Sequence, residues 1–396
     1  MNIKIKTLGT VATYINGRAF KPSEWETEGK PIIRIQNLTN SDALYNYSKQ
    51  EYEKKYLVHN GDLLFAWSAS LGAHIWKGPD AWLNQHIFKV IPNDDISQDY
   101  LYYYLLTVVA DLYAKTHGSG MVHITKNPFM NTPIPVPTFL EQKRIVARIE
   151  EIFSQLDVGV EMLKKTKAQL AVYRQAVLKE AFDGRLTDSI SHAMVRLGDF
   201  IETPRYGTSK KCNYERAVNK YAVYRIPNID HKSGRISHDD IKYAGFTVND
   251  IEGIRLQKDD ILIIRSNGSV SLVGRAALVH EADTAGTFAG YLMRLRIKEP
   301  DTILPKFLLF FLQSHQARTY IENKAKSTSG VHNINANEVS DIKLPKYNIK
   351  TQKAIIDAIE SRLSVCDNIE QTVDIALQKA ETMQQIILSR AFEGEL

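Results

Sequence analysis

Residues 141–186 read EQKRIVARIEEIFSQLDVGVEMLKKTKAQLAVYRQAVLKEAFDGRL, and residues 351–396 read TQKAIIDAIESRLSVCDNIEQTVDIALQKAETMQQIILSRAFEGEL. Laid over one another at an offset of 210 residues, the two align without a gap, matching Gln142 with Gln352, Ile149 with Ile359, Phe182 with Phe392 and Gly184 with Gly394. This is an internal duplication. In the first copy Ile145, Ile149, Ile152, Leu156, Leu163, Leu170, Tyr173 and Val177 keep a four-three rhythm. In the second, Ile355, Ile359, Cys366, Ile369, Val373, Ala376, Ala380, Met383 and Ile387 do the same, with Arg362 as a charged intruder. A seam held over about six heptads predicts a coiled-coil helix. The glycine after each Phe-Asp or Phe-Glu predicts a left-handed C-cap, and Gly159, about 1 kcal/mol worse than alanine inside a helix, marks a candidate bend.

The rest of the chain divides around these helices. Residues 1–140 predict a mixed α/β (α+β) module, with strands at 31–38, 61–67 and 86–92 and a helix over 100–114. TPIPVP, at 132–137, forces extended chain before the first long helix. Residues 195–350 repeat this plan more loosely: YRIPNID echoes IRIQNL, DDILIIRS echoes GDLLFAWS, FLLFFLQ echoes YLYYYLL, and STSGVHNIN echoes GSGMVHIT. The offsets between these echoes change, so the loops have diverged on a common scaffold. The expected domains are 1–140, 141–187, 188–350 and 351–396.

A helix of about 43 residues is about 65 Å long. A compact second module has a radius of gyration of only about 15 Å. The second helix must therefore start near the end of the first and run back antiparallel, which predicts pseudo-two-fold symmetry.

With 396 residues, 44% hydrophobic and 24% charged, the chain has the composition of a globular protein with two or three domains. Cys212 and Cys366 make no metal or redox spacing, so a reducing cytoplasm is expected. No run is long enough for a membrane span. Residues 188–350 carry 24 basic against 18 acidic residues, whereas 351–396 carry 4 against 8. The basic excess lies where contact with phosphates would put it. Two similar modules related by a dyad match the geometry by which dimeric proteins read two half-sites in duplex DNA.

The duplicated QK start and AF(D/E)GxL end, joined by a heptad helix and preceded by a proline-containing strand (PIPVPTFLEQK and IKLPKYNIKTQK), resemble the specificity subunit of type I restriction-modification systems. The resemblance covers essentially the whole chain. It implies that each module is a target-recognition domain reading one half of a bipartite, asymmetric site on double-stranded DNA. It also implies that the helices act as the spacer and dock two adenine-methyltransferase subunits, and that the complex recruits ATP-dependent restriction subunits. No cofactor belongs to the chain itself: S-adenosylmethionine, ATP and magnesium go with the partner subunits.

The residues agree in offering no catalytic centre. Asn127-Pro128-Phe129 lacks the second proline of an adenine-methyltransferase loop, no P-loop is present, and the eleven histidines show no metal spacing. Candidate DNA contacts lie in two matched polar loops: His117, Ser119, His123, Thr125, Lys126 and Asn127; and Lys324, Lys326, Ser327, Ser329, His332, Asn333 and Asn335. Their donors and acceptors suit base edges and phosphates; the competing reading is a solvated turn. Matched strand ends add Arg34, Gln36 and Asn37 with Arg225, Asn228 and Asp230, and Trp67 and Ser68 with Arg265 and Asn267. Here a structural ion pair or cap competes. A rival for the whole chain is a stand-alone structural or regulatory DNA-binding protein with a coiled-coil hairpin.

Overall fold

The computed structural model describes residues 3–40, 42–115, 126–187, 193–328 and 330–396. They form two compact units, one of residues 1–164 and 374–396, the other of residues 165–373. Each unit therefore combines a globular module with part of both long helices, Phe139–Phe182 and Ile349–Glu393.

In unit 1 a four-stranded sheet runs in the order Ala12–Asn16, Ile87–Pro92, Leu63–Ala66, Gly72–Ile75. A second runs Asn46–Ser48, Lys30–Ile33, Ala81–Leu83, Leu57–Val58. Leu63–Ala66 is buried on both faces, which is why it reads as an unbroken apolar run. Leu63 and Phe65 join the core beneath the helix Gln98–Lys115, while Leu64 and Ala66 join Ile33, Val58, Trp76 and Leu83 on the other face. Strand alternation divides four consecutive residues between two cores.

Unit 2 repeats this division. Ile261–Ile264 is central in a six-stranded sheet. Ile261 and Ile263 face the core that holds the helix Pro305–Gln313; Leu262 and Ile264 face Ile229, Leu256 and Phe288. In both units the strand before a long helix pairs with the first strand of the module: Pro133–Val136 with Lys4–Thr7, and Lys343–Pro345 with Met194–Arg196.

Inside each unit the long helices pair antiparallel. In unit 1 Ile149 packs on Leu388 and Ala391. In unit 2 Val177, Leu178 and Ala181 share a core with Ile355 and Ile359, and Arg174 Nη2 reaches Asp367 (2.6 Å) and Glu370 (2.8 Å). Phe392 lies edge-on to Tyr100 and Tyr104, as Phe182 does to Phe307 and Phe311. Gly184 and Gly394 take φ of +77° and +82°, the left-handed cap expected of them. The first helix runs through Gly159 unbroken.

Two expectations need correction. The stretch 31–38 is a strand only over Lys30–Ile33, followed by a short helix, Ile35–Thr39, because the Asn37 side chain accepts from Arg34 N and turns the chain. The seam also slips by one residue at alternate positions. Cys366, Val373, Ala380 and Ile387 are buried with Ile355 and Ile359, but Ile369 and Met383 are 41% and 46% exposed, as is Tyr173 at 46%. The half-buried positions between them are Leu363, Glu370, Leu377 and Gln384, together with Ala376, which keeps its expected place. In the first helix Ile149, Leu170 and Val177 are buried, and Ile145, Ile152, Leu156 and Leu163 are half-buried.

Candidate nucleic-acid interface

Both modules fold one local frame around the end of their central strand. In unit 1 Trp67 N donates to His86 O (3.1 Å), Asn84 N to Ile33 O (3.1 Å) and Gln85 N to Arg18 O (2.8 Å). In unit 2 Arg265 N donates to Tyr291 O (2.9 Å), Ala289 N to Tyr224 O (2.9 Å) and Gly290 N to Thr208 O (2.8 Å). A glycine opens each crossing: a Cβ on Gly17 would fall on the Asn84 carbonyl, and one on Gly207 on the carbonyls of Phe288 and Ala289. The frame makes Arg34 equivalent to Arg225, Trp67 to Arg265, Asn16 to Tyr206 and His86 to Tyr291.

Side chains on this frame differ. In unit 1 the Trp67 indole N–H donates to Asn16 Oδ1 (3.1 Å), and the ring lies edge-on to His86, 4.9 Å between centroids. His86 takes φ of +74°, a strained conformation for a side chain of its size. In unit 2 the Arg265 guanidinium lies over the Tyr206 ring, 4.5 Å from its centroid, and Nη1 donates to Gly290 O (3.2 Å). A pocket of about 640 Å³ opens there, lined by Tyr206, Lys210, Arg225, Arg265 and Tyr291 among others. Arg225 Nη2 donates to the backbone and carboxylate oxygens of Asp240. The Tyr214 hydroxyl and the Arg225 guanidinium hold the Asp240 carboxyl below its ordinary range. Arg34, the counterpart of Arg225, lies over Trp25, 5.3 Å from its ring centroid.

The remaining candidates fall into distinct places. Asn37 and Asn228 are buried and committed: Oδ1 accepts from Arg34 N or Arg225 N, and Nδ2 donates to Ala43 and Leu44 O, or to Ser237 and Asp239 O. Both are turn staples rather than base readers, since contact with a base would break their internal bonds. Asp230 closes a turn by accepting from Lys232 N and the Ser233 hydroxyl. Burial raises its pKa, but these bonds outweigh that and leave it below the ordinary value. Asn335 caps the helix Ala336–Ser340. Gln36 is exposed, and Ser68 is buried.

Asn267, His332 and Asn333 come together on a three-stranded sheet, where Ser266 pairs with Asn333 and Asn267 with His332. Lys326 and Ser327, described here by backbone position, form its third strand. Ile334 N donates to Arg265 O (2.9 Å), which ties this sheet to the frame. Lys324 ends the preceding helix, exposed, with Nζ 5.9 Å from the Tyr320 ring centroid. Asn127 is exposed in the short helix Lys126–Met130, of which Lys126 is described by backbone position. His117, Ser119, His123, Thr125 and Ser329 lie outside the described residues. Sequence reasoning missed Asn16, His86, Tyr206, Lys210 and Tyr291, which belong to segments with no shared identity; only the matched glycines Gly17 and Gly207 signal them.

Among the described residues no group of three His, Cys, Asp or Glu is placed to hold a metal, and no helix is long and apolar enough to cross a membrane.

Comparison with known proteins gives a consistent picture. The family model described as the type I restriction modification DNA specificity domain matches residues 2–171 and again 192–379. The chain is 28% identical to the type I restriction enzyme EcoBI specificity subunit of Escherichia coli, over 98% of this chain and 85% of that one. It is 25% identical to the StySPI specificity subunit of Salmonella potsdam, over 98% and 88%. In fold it resembles a chain from a study of assembly and conformational transition in the type I R-M system, with TM-score 0.71 and 18% identity, covering 100% of this chain and 98% of that one. It also resembles the HsdS subunit from Thermoanaerobacter tengcongensis, with TM-score 0.53 and 16% identity, covering 100% and 97%.

Proposed function

The chain belongs to the family of type I restriction modification DNA specificity domains, and from that premise we propose how its parts divide the work. Residues 1–140 and 188–350 act as two target-recognition domains, each reading one half of a bipartite site in double-stranded DNA. The helical segments 141–187 and 351–396 set the unread gap and dock two adenine-methyltransferase subunits, which supply the chemistry.

One observation carries this reading: the two modules keep the same backbone frame but change the side chains on it. Trp67 and Asn16 in one unit occupy the positions of Arg265 and Tyr206 in the other. A structural duplication would preserve packing residues, and it does so at Leu63–Ala66 and Ile261–Ile264. Retained apolar character in the central strand with changed chemistry at the exposed rim is what two different half-site specificities require.

The test is a genome-wide map of methylated adenine by long-read sequencing, with the gene intact and deleted. Loss of one bipartite motif on deletion is the expected result. Survival of every motif while the protein is expressed would favour a DNA-binding protein that works without a methyltransferase.

A further inference from the structure

The matched frame makes it possible to ask which residue makes the two half-sites differ. Arg34 and Arg225 put the same guanidinium at equivalent positions, one over Trp25 and the other bonded to Asp240, so residue type does not distinguish the units there. At the neighbouring pair it does, because the chemistry inverts: aromatic Trp67 beside polar Asn16 in unit 1, cationic Arg265 beside aromatic Tyr206 in unit 2.

In unit 1 the pair is self-satisfied. The one indole donor is used on Asn16 Oδ1, and the pair itself presents a ring and an amide without charge. In unit 2 the pair is open. Arg265 has a single side-chain hydrogen bond among the described residues, from Nη1 to Gly290 O, and its Nε is buried without a partner. The Tyr206 ring under the guanidinium and the bond to Gly290 O hold it in place, so less freedom remains to be lost on binding. Tyr206 and Tyr291 are 43% and 63% exposed at the rim of the pocket, and the Tyr206 hydroxyl accepts from Ala336 N (3.1 Å), which anchors that ring.

Resting on the specificity-subunit reading above, we propose that Arg265, held by Tyr206 and Gly290, reads a guanine in the half-site contacted by unit 2, and that Trp67 and Asn16 make unit 1 read a different base at the equivalent place. A guanidinium has only donors. Guanine is the base that shows two adjacent acceptors, O6 and N7, in the major groove, and arginine meets both at once. The uncharged Trp67–Asn16 pair offers no such fork.

The experiment uses the assembled methyltransferase complex, with methylation mapped in cells that carry the intact chain or Arg265→Gln. With Arg265→Gln one guanine of one half-site becomes degenerate, while the other half-site and the gap are unchanged. In binding assays on duplexes of the mapped sequence, discrimination at that position falls about tenfold, the scale of one lost bidentate base contact. Should the variant fail to fold, the intact complex still answers: 7-deazaguanine, which lacks the N7 acceptor but keeps O6, is placed at each guanine of both half-sites in turn, and one substitution weakens binding severalfold, by roughly the share of one of the two bonds. The proposal is overturned by an unchanged motif in folded Arg265→Gln, by a mapped site without guanine in either half, or by no sensitivity to 7-deazaguanine. Equal weakening for all sequences also overturns it, assigning Arg265 to a phosphate. Absence of any bipartite motif with the intact chain would instead overturn the underlying reading.

Discussion

Gln142 and Gln352 make the same three hydrogen bonds 210 residues apart. Gln142 Oε1 accepts from Ser97 N (2.8 Å), and Nε2 donates to Asp95 O (2.9 Å) and Pro137 O (3.1 Å). Gln352 Oε1 accepts from Leu304 N (2.8 Å), and Nε2 donates to Thr302 O (3.1 Å) and Tyr347 O (2.9 Å). Both are buried, at 0% and 2% exposure. Each ties the start of a long helix to the loop that opens the module's own helix. Gln142→Ala or Gln352→Ala should cost about 1–3 kcal/mol, because a buried amide donor loses its acceptor. Glutamate should be worse, since its charge faces two carbonyls. Denaturant unfolding of the variants checks both.

The corrected seam gives a sharper pair. Ile369→Lys should change stability by less than about 0.5 kcal/mol, because the position is exposed. Val373→Lys, at a position 4% exposed, should cost several kcal/mol for an unpaired buried charge. Equal melting temperatures for the two variants would contradict the seam described here.

Asp260 is 1% exposed and accepts from Arg296 at two points, Nε to Oδ1 and Nη2 to Oδ2, both 2.7 Å, and from Gln257 N. Asp260→Asn leaves Arg296 without its counter-charge beside the central strand of unit 2. The expected loss is about 3–5 kcal/mol, read by denaturant titration. Replacing both residues should recover part of it.

Acidification should weaken the fold through histidine. Burial holds the His74 imidazole below its ordinary value; burial, with Arg275 adding, does the same for His231. A lowered histidine pKa means that the unfolded chain binds more protons. The stability from keeping these rings neutral is therefore complete above about pH 6.5 and is lost as pH falls from there toward the native values. Melting temperature measured from pH 7.5 to 5.5 should fall, and His74→Gln should flatten part of that slope.

Much of this was legible in the amino-acid order, for identifiable reasons. Gln142, Gln352 and the Phe-X-Gly ends align because identical packing imposed identical residues on both copies. The seam misled at Ile369 and Met383 because apolar residues stand one place from the inward position, while the half-buried place is held by Glu370, anchored to Arg174. Asn37 read as the end of a strand because its cap role depends on a turn that pattern alone does not reveal. Trp67 and Arg265 were visible as strand ends. Their partners Asn16 and Tyr206 were not, because pairing between distant strands leaves no local periodicity.

The crossed placement of Phe182 and Phe392 bears on how the protein is made. The core that contains Tyr100 and Tyr104 is filled by a ring nearly 300 residues further along. In order of synthesis the first module comes early, and the ring packed on this face of it comes only at residue 392. The second module has Phe182 in hand before its own helix Pro305–Gln313 appears. The earlier-made half is thus the later to close, and a premature stop in the last helix would harm the module translated first.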